Sequence, residues 1–164
     1  MTTKKLVAWE IPPSLRCKDG VLPKLLDDVR LIYNESLTTL ATKPLTALSK
    51  KQQYDWWNNL DHSKERLWVY TLAEGSPVVA FMKLTDRGSH FTPIMAIGEK
   101  YRKLNVVHEI VAHYLAVTTP KPVIAQVLRT NLAMQFVMNW AGFEFSGTPE
   151  QDVYEFVYHH PEAS

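Results

Sequence analysis

The sequence is short of cysteine, of charge of one sign and of long apolar runs, and each shortage excludes a class of protein. Cys17 is the only cysteine in 164 residues, so neither an intrachain disulfide nor a cysteine-based zinc site can form. The 18 basic residues nearly balance the 17 acidic ones, whereas a dedicated nucleic-acid binder usually carries a basic excess. We therefore expect a cytoplasmic protein, in a reducing compartment, without nucleic acid as a partner.

Long apolar runs are missing as well. No window approaches the ~20 apolar residues that a membrane span requires, and Leu6 to Ile11 is too short for a signal-peptide core. The composition, 46% hydrophobic and 21% charged, is ordinary for a globular protein. Since no repeat or linker interrupts it, we expect residues 1–164 to form one domain, which can bury roughly two-thirds of its unfolded surface.

Alternation, apolar runs and turn signals predict strands along the chain. The predicted strands are Leu6–Ile11, Leu67–Leu72, Val78–Leu84, Phe91–Ile97, Val123–Leu128 and Val153–Tyr158. Pro93 lies inside one of them and cannot donate to a strand ladder, so we expect a bulge or irregular pairing there. Residues 91–128 read as a strand–helix–strand crossover, which brings two parallel strands together.

Helical spacing predicts four helices. They run from about Pro23 to Leu40, from a capping box formed by Ser49 and Gln52, along a stripe that starts at Leu104, and from about Asn131 to Ala141. Gly142 is expected to end the last helix. The predicted order is βααβββαβαβ, an α/β fold with a mixed central sheet flanked by helices.

Two segments resemble the GNAT superfamily of acyl-CoA-dependent N-acyltransferases. Residues 94–109, IMAIGEKYRKLNVVHE, match a strand, an acidic residue and an arginine before a turn that opens a helix. The strand at 123–127 is followed by Asn131 and then by Gly142-Phe143, also a habit of this family. The resemblance covers roughly residues 52–145 and implies acetyl-CoA as co-substrate.

The turn before the predicted helix suits an anion, because a helix N-terminus presents unpaired N–H groups and partial positive charge. The sequence departs from the family where glycines are expected: Asn105 tolerates a left-handed backbone, but the β-branched Val107 rejects positive φ and could crowd the phosphates. Arg102, Lys103 and His108 offer compensating charge; the alternative is an ordinary turn with solvated charges. The resemblance implies cofactor contacts at Ala96, Ile97, Arg102, Lys103, Leu104, Asn105, Val106, Val107 and Asn131.

The catalytic residues are less clear. The resemblance implies backbone donors around Ala96 and Ile97 for the thioester oxygen. It also implies a tyrosine on the last helix to protonate the leaving thiolate, but Met138 stands there and cannot donate a proton. Our candidates for proton transfer are His90 and Tyr154, with Tyr101 as a further substitute.

The first two helices cover the acceptor side in this superfamily, and they carry polar and aromatic residues here. Tyr33, Asn34 and Trp57 are the predicted acceptor-binding residues for a small-molecule or peptide amine. The alternative for Trp56 and Trp57 is core packing. Asn131 is open between a contact to the pantetheine arm and a helix N-cap.

These observations predict an N-acyltransferase in which the amine attacks the thioester directly. Two alternatives stay open: a non-catalytic binding module with this fold, or a divergent phage-type enzyme that modifies DNA bases. We expect no metal site, since His108 and His113 are five residues apart and do not share a helix face. A homodimer is left open.

Overall fold

A computed structural model describes residues 5–38 and 45–161, apart from the side chains of residues 103 and 104. The strands are β1 (Val7–Glu10), β2 (Glu65–Thr71), β3 (Val78–Asp86), β4 (Phe91–Ile97), β5 (Val123–Leu128), β6 (Glu144–Glu150) and β7 (Val153–Tyr158). The helices are α1 (Lys24–Asn34), α2 (Lys50–Asn59), α3 (Val107–Thr118) and α4 (Leu132–Ala141), with a 3₁₀ segment at Glu99–Leu104. Within this part of the chain, no helix is long and apolar enough to cross a membrane.

The strands form one seven-stranded sheet in the order β1-β2-β3-β4-β5-β7-β6. Every neighbouring pair is antiparallel except β4 and β5, which are parallel, so the predicted crossover is confirmed. These two strands are in register only at Phe91 and Val123. Their remaining residues form no ladder with each other, and the sheet opens between them.

Helices cover both faces of the sheet, and each face has its own core. Leu26, Val29 and Ile32 of α1 pack with Trp57 of α2 on one face. Ile110, Val111 and Tyr114 of α3 pack with Val137 and Met138 of α4 on the other. The predicted class, a mixed sheet flanked by helices, is therefore confirmed.

The predicted element order lacks one strand, β6. Its sequence, EFSGTPE, carries Gly147 and Pro149 and shows no apolar alternation, so no strand signal was available. Nearly all its residues are exposed, because β6 is the edge strand and pairs only with β7. Tertiary pairing, and not local propensity, makes this segment a strand.

Several helix boundaries also differ from the prediction. Helix α1 ends at Asn34, whereas the predicted end, Leu40, lies outside the described residues. Helix α3 begins at Val107, because Asn105 adopts a left-handed backbone and separates the helix from the 3₁₀ segment that contains Leu104. The capping box of Ser49 with Gln52 and the left-handed cap at Gly142 are confirmed.

Of the bulge or irregular pairing expected at Pro93, the bulge is absent, because β3 and β4 pair without a register shift from Phe91–Asp86 to Ile97–Ala80. The irregular pairing is on the other side of the strand, where β4 and β5 are in register only at Phe91 and Val123. The amide of Phe91 points to the β5 side, where it donates to Pro122, and that of Gly98 points to β3, where it donates to Val79. Backbone groups alternate along a strand, so the missing N–H of Pro93 is on the β5 side. There the sheet is open, and no ladder hydrogen bond is lost.

A polar pair lies between the sheet and α3. The hydroxyl of Tyr70 on β2 is 2.8 Å from Nδ1 of His113, whose ring packs edge-on against Trp68. Burial lowers the pKa of His113, and the nearby Arg66 lowers it further while Glu10 opposes this. Burial also raises the pKa of Tyr70. The folded protein therefore favours the neutral form of the His113 imidazole.

We expect this histidine to make the fold sensitive to acid. Its pKa is lower in the folded than in the unfolded chain, so the unfolded chain binds the proton first as the pH falls. The stability that neutral His113 contributes is complete above the ordinary histidine pKa of about 6.5 and declines below it. Urea unfolding between pH 7.5 and 5.5 should show a smaller loss of stability for His113→Gln than for the wild type. Equal losses would contradict this assignment.

Candidate active site

The opening between β4 and β5 is a cleft. It holds two cavities of about 250 Å³ each, which share Met95, Asn131 and Met134 as lining residues. One cavity extends along β5 to Tyr114 and Met138. The other extends to Arg102 and Val107 at the start of α3. The cleft therefore runs from the middle of the sheet to a helix N-terminus.

The edge of β4 supplies unpaired backbone groups to this cleft. By strand alternation, the amides of Met95 and Ile97 point away from β3 and into the opening. The carbonyl of Ile97 is on the same side and accepts from Nε of Arg102, at 3.1 Å. Ala96, a predicted backbone donor, has its own amide on the β3 side. Met95 takes its place beside Ile97.

The turn before α3 has the predicted left-handed residue. Asn105 has φ 56° and ψ 39°, a conformation that asparagine tolerates. Val107 has none of the expected backbone strain, because it is the first helical residue, and its side chain lines the cleft. The N-cap, Val106, is buried and makes no side-chain hydrogen bond to the first turn. The first amides of α3 therefore have no cap from this residue.

Arg102 holds the rim of the cleft together. Its guanidinium donates to the carbonyls of Ile97 and Glu35 and to the hydroxyl of Ser36, at 3.0 to 3.2 Å. The carboxylate of Glu35 in turn accepts from the amide of Glu99, at 2.8 Å. Arg102 thus joins the end of β4 to the end of α1. The side chains of Lys103 and Leu104 lie outside the described part of the structure.

Asn131 lies where the two cavities meet, and one of its two expected roles is confirmed. Its Oδ1 accepts from the amide of Met134, at 3.1 Å, and caps α4.

His108, in the first turn of α3, packs edge-on against Trp140, with ring centroids 4.4 Å apart. The Nδ1 atom of His108 is buried without a partner among the described residues.

Met138 lines the cleft where a family tyrosine was expected, and a different tyrosine lies beside it. Tyr114 on α3 is 1% exposed and lines the same cavity. Its hydroxyl makes no hydrogen bond within the described residues, and it is not among the fully enclosed polar atoms that lack a partner. Tyr114 is therefore an almost enclosed side chain in the wall of this cavity. Burial raises the pKa of Tyr114, which keeps the phenol protonated.

In the sequence, Tyr114 belongs to the apolar stripe of the third predicted helix, with Val107, Ile110 and Val111. The available signal was that it alone in that stripe carries a polar group. The candidates His90 and Tyr154 do not line either cleft cavity. His90 precedes β4 at the closed end of the opening, and its Nδ1 lies 2.9 Å from Oγ of Ser89. Tyr154 pairs with Val127 in the sheet, and its ring packs against Phe145.

A third cavity, of about 320 Å³, lies on the opposite face between α1, α2 and the sheet. Tyr33, one of the candidate acceptor-binding residues, lines it, whereas Asn34 braces the segment after α1 through two hydrogen bonds with the backbone of Leu48. Trp57 is 1% exposed, and its indole donates to Leu15, so its predicted contact with the acceptor is wrong. One position earlier on the helix, Trp56 lines the cavity.

Comparison with solved structures identifies the architecture. The GNAT domain of S. lividans PAT superimposes with a TM-score of 0.70 at 16% identity, covering 93% of this chain and 89% of that one. The chain has the GNAT fold. Salmonella typhimurium yncA, solved with its cofactor acetyl-CoA, gives 0.74 at 11% identity and covers 98% and 99% of the two chains.

A third GNAT-fold neighbour is a spermidine N-acetyltransferase chimera of Vibrio cholerae SpeG and hSSAT. It gives a TM-score of 0.73 at 12% identity, covering 94% of this chain and 95% of that one. No family model matches the sequence, and no curated protein does. At these identities the likeness establishes the fold, and the chemistry must be argued from the residues.

The left-handed turn at Asn105 gives a direct test of how the site is built. Asn105→Val should lower the unfolding free energy by roughly 1–2 kcal/mol, because a β-branched residue is strained at positive φ. Asn105→Gly should preserve stability, since glycine adopts this conformation freely. Thermal and urea unfolding of both variants provide the measurement. A valine variant as stable as the wild type would contradict the geometry of this turn.

Proposed function

We propose that the chain is an N-acetyltransferase that moves an acetyl group from acetyl-CoA to a primary amine. The observation that carries this proposal is the cleft between β4 and β5, which ends at the N-terminus of α3. An extended thioester arm fits such an opening, because β4 offers unpaired backbone groups along it. An anionic end group fits the helix N-terminus.

The residues present are compatible with this co-substrate. Backbone groups of Met95 and Ile97 would pair with the amides of the pantetheine arm, and the side-chain amide of Asn131 would donate to it. The first amides of α3, with Asn105 and Val107 before and beside them, would hold the pyrophosphate. Arg102 would act mainly by fixing the rim, since its guanidinium is already bonded to three oxygens.

The reaction balances without a covalent enzyme intermediate. The amine nitrogen attacks the thioester carbon, a C–N bond forms, and the C–S bond breaks with its electron pair going to sulfur. The nitrogen loses one proton to solvent water, the thiolate gains one from a phenol, and solvent water then reprotonates the phenolate. A backbone amide from Met95 or Ile97 would stabilise the developing oxyanion in the cleft. We assign the protonation of the thiolate to the phenol of Tyr114, because its side chain lines the cleft cavity.

Binding of acetyl-CoA tests the site, and Val107 offers a matched pair of variants. Val107→Asp should weaken binding at least tenfold relative to Val107→Asn, because a carboxylate repels the phosphates while an amide of the same shape does not. An acidic residue in the first turn favours the helix, so the fold should survive. Calorimetric titration of both variants and the wild type gives the dissociation constants.

Each outcome of that titration has a clear meaning. In the wild type, acetyl-CoA at 100 times its dissociation constant should stabilise the fold by about 2.7 kcal/mol. Binding that is equal in the Asp and Asn variants would move the phosphates away from α3. No binding at millimolar acetyl-CoA would contradict the enzyme and favour the non-catalytic binding module.

The role of Tyr114 is tested by removing one atom. Tyr114→Phe should lower kcat by roughly 10²–10⁴-fold, the usual contribution of a positioned acid, with the affinity for acetyl-CoA unchanged. The unfolding free energy should change little, because the hydroxyl has no hydrogen-bond partner among the described residues. Single-turnover acetyl transfer gives the rate.

The two candidates from sequence provide the comparison. If Tyr154→Phe or His90→Gln removes activity while Tyr114→Phe remains active, the proton donor is Tyr154 or His90, as predicted from the sequence. In that event Tyr114 would have only a structural role.

A further inference from the structure

The cavity between α1, α2 and the sheet has a composition that selects among amines. Its walls are mainly aliphatic and aromatic side chains. The lining residues are Val29, Tyr33, Leu45, Leu48, Gln53, Trp56, Leu67, Phe81, Lys83 and Ile94. On the basis of the proposed acetyl transfer, we propose that this cavity binds the acceptor as an arylalkylamine, an amine with a single aromatic body, and rejects polyamines.

The charges of the cavity support this choice. Lys83 is the one charged side chain among the described lining residues, and its Nζ lies 3.2 Å from Glu65 and 6.0 Å from the centre of a Trp56 ring. A second ammonium of a polyamine would therefore meet an apolar wall and a like charge. Burying an unpaired charge in such a place is costly.

Two polar groups in the cavity can orient one neutral amine. Gln53 is 2% exposed, and its Nε2 donates to the carbonyl of Leu26, so its Oε1 is left to accept a hydrogen bond. Tyr33 lines the cavity from α1, and burial raises the pKa of its phenol. A cavity with apolar walls and a few convergent polar groups is typical of sites for small apolar ligands.

The cavity adjoins the cleft at one residue of β4. Ile94 on β4 lines both this cavity and the cleft cavity that contains Tyr114. It is 36% exposed, so part of its surface is accessible to a bound molecule. An amine whose apolar body packs on Trp56 and Phe81 can therefore direct its nitrogen past Ile94 toward the opening between β4 and β5.

The experiment compares phenethylamine with spermidine as acceptors, by release of free thiol at saturating acetyl-CoA. We expect phenethylamine to have a kcat/KM at least tenfold higher. Lys83→Met should raise the ratio of kcat/KM for spermidine to kcat/KM for phenethylamine at least tenfold. The substitution removes the repelling charge and leaves Glu65 free to attract a cation. Lys51→Met, the same change on the exposed surface of α2, should leave the ratio unchanged. Trp56→Ala should reduce kcat/KM for phenethylamine and spare the affinity for acetyl-CoA.

The outcomes separate this inference from the function on which it rests. Turnover of spermidine at or above the rate of phenethylamine would overturn the inference and leave the acetyltransferase intact. An unchanged ratio in Lys83→Met would overturn it as well. Binding of acetyl-CoA with no turnover of either amine would overturn the acceptor class. Absence of acetyl-CoA binding would instead remove the proposed function.

Discussion

The site depends on one incomplete strand pairing. Strands β4 and β5 are parallel neighbours joined in register at Phe91 and Val123, and they then diverge. A parallel pair needs a crossover, and here the crossover is α3, whose N-terminus consequently lies at the open end of the cleft. One constraint of topology thus supplies the opening, the unpaired edge of β4 and the anion-binding end of a helix. Pro93, which cannot donate to a ladder, fits that open edge and costs the sheet nothing there.

The two faces of the sheet divide the proposed chemistry. On the α3–α4 face the cleft contains a buried phenol, Tyr114, at the wall that Met138 also forms. On the α1–α2 face an apolar cavity reaches the same strand, and Ile94 belongs to both. The donor and the acceptor would therefore approach β4 from opposite sides and meet at its open edge. The rim is held by Arg102, which links the end of β4 to the end of α1 through three hydrogen bonds.

Individual residues show where sequence reasoning succeeds and fails. Asn105 was expected to tolerate a left-handed turn and does so, because that property belongs to the residue itself. Val107 was expected to be strained in a left-handed turn, but the left-handed residue is Asn105, two positions earlier, and Val107 is helical. Trp56 and Trp57 are adjacent in sequence, yet about 100° of helical rotation places one in the cavity wall and the other in the core. Tyr114 was not recognised as a cleft residue, because it belongs to an apolar stripe. Periodicity predicts which face of the helix a side chain occupies, but not which cavity that side chain lines.

The sequence alone determined what depends on local chemistry. It located all the strands but β6, and it also located the capping box at Ser49 and the asparagine that caps α4. Apolar periodicity, cap chemistry and turn residues act within a few positions, so a local sequence reveals them. The tertiary structure decided what depends on distant segments meeting. The edge strand β6, the divergence of β4 from β5 and the approach of Tyr114 to the cleft all arise from packing between elements far apart in the chain. No local pattern encodes such a meeting, since its energy comes from contacts that exist only once the sheet has formed.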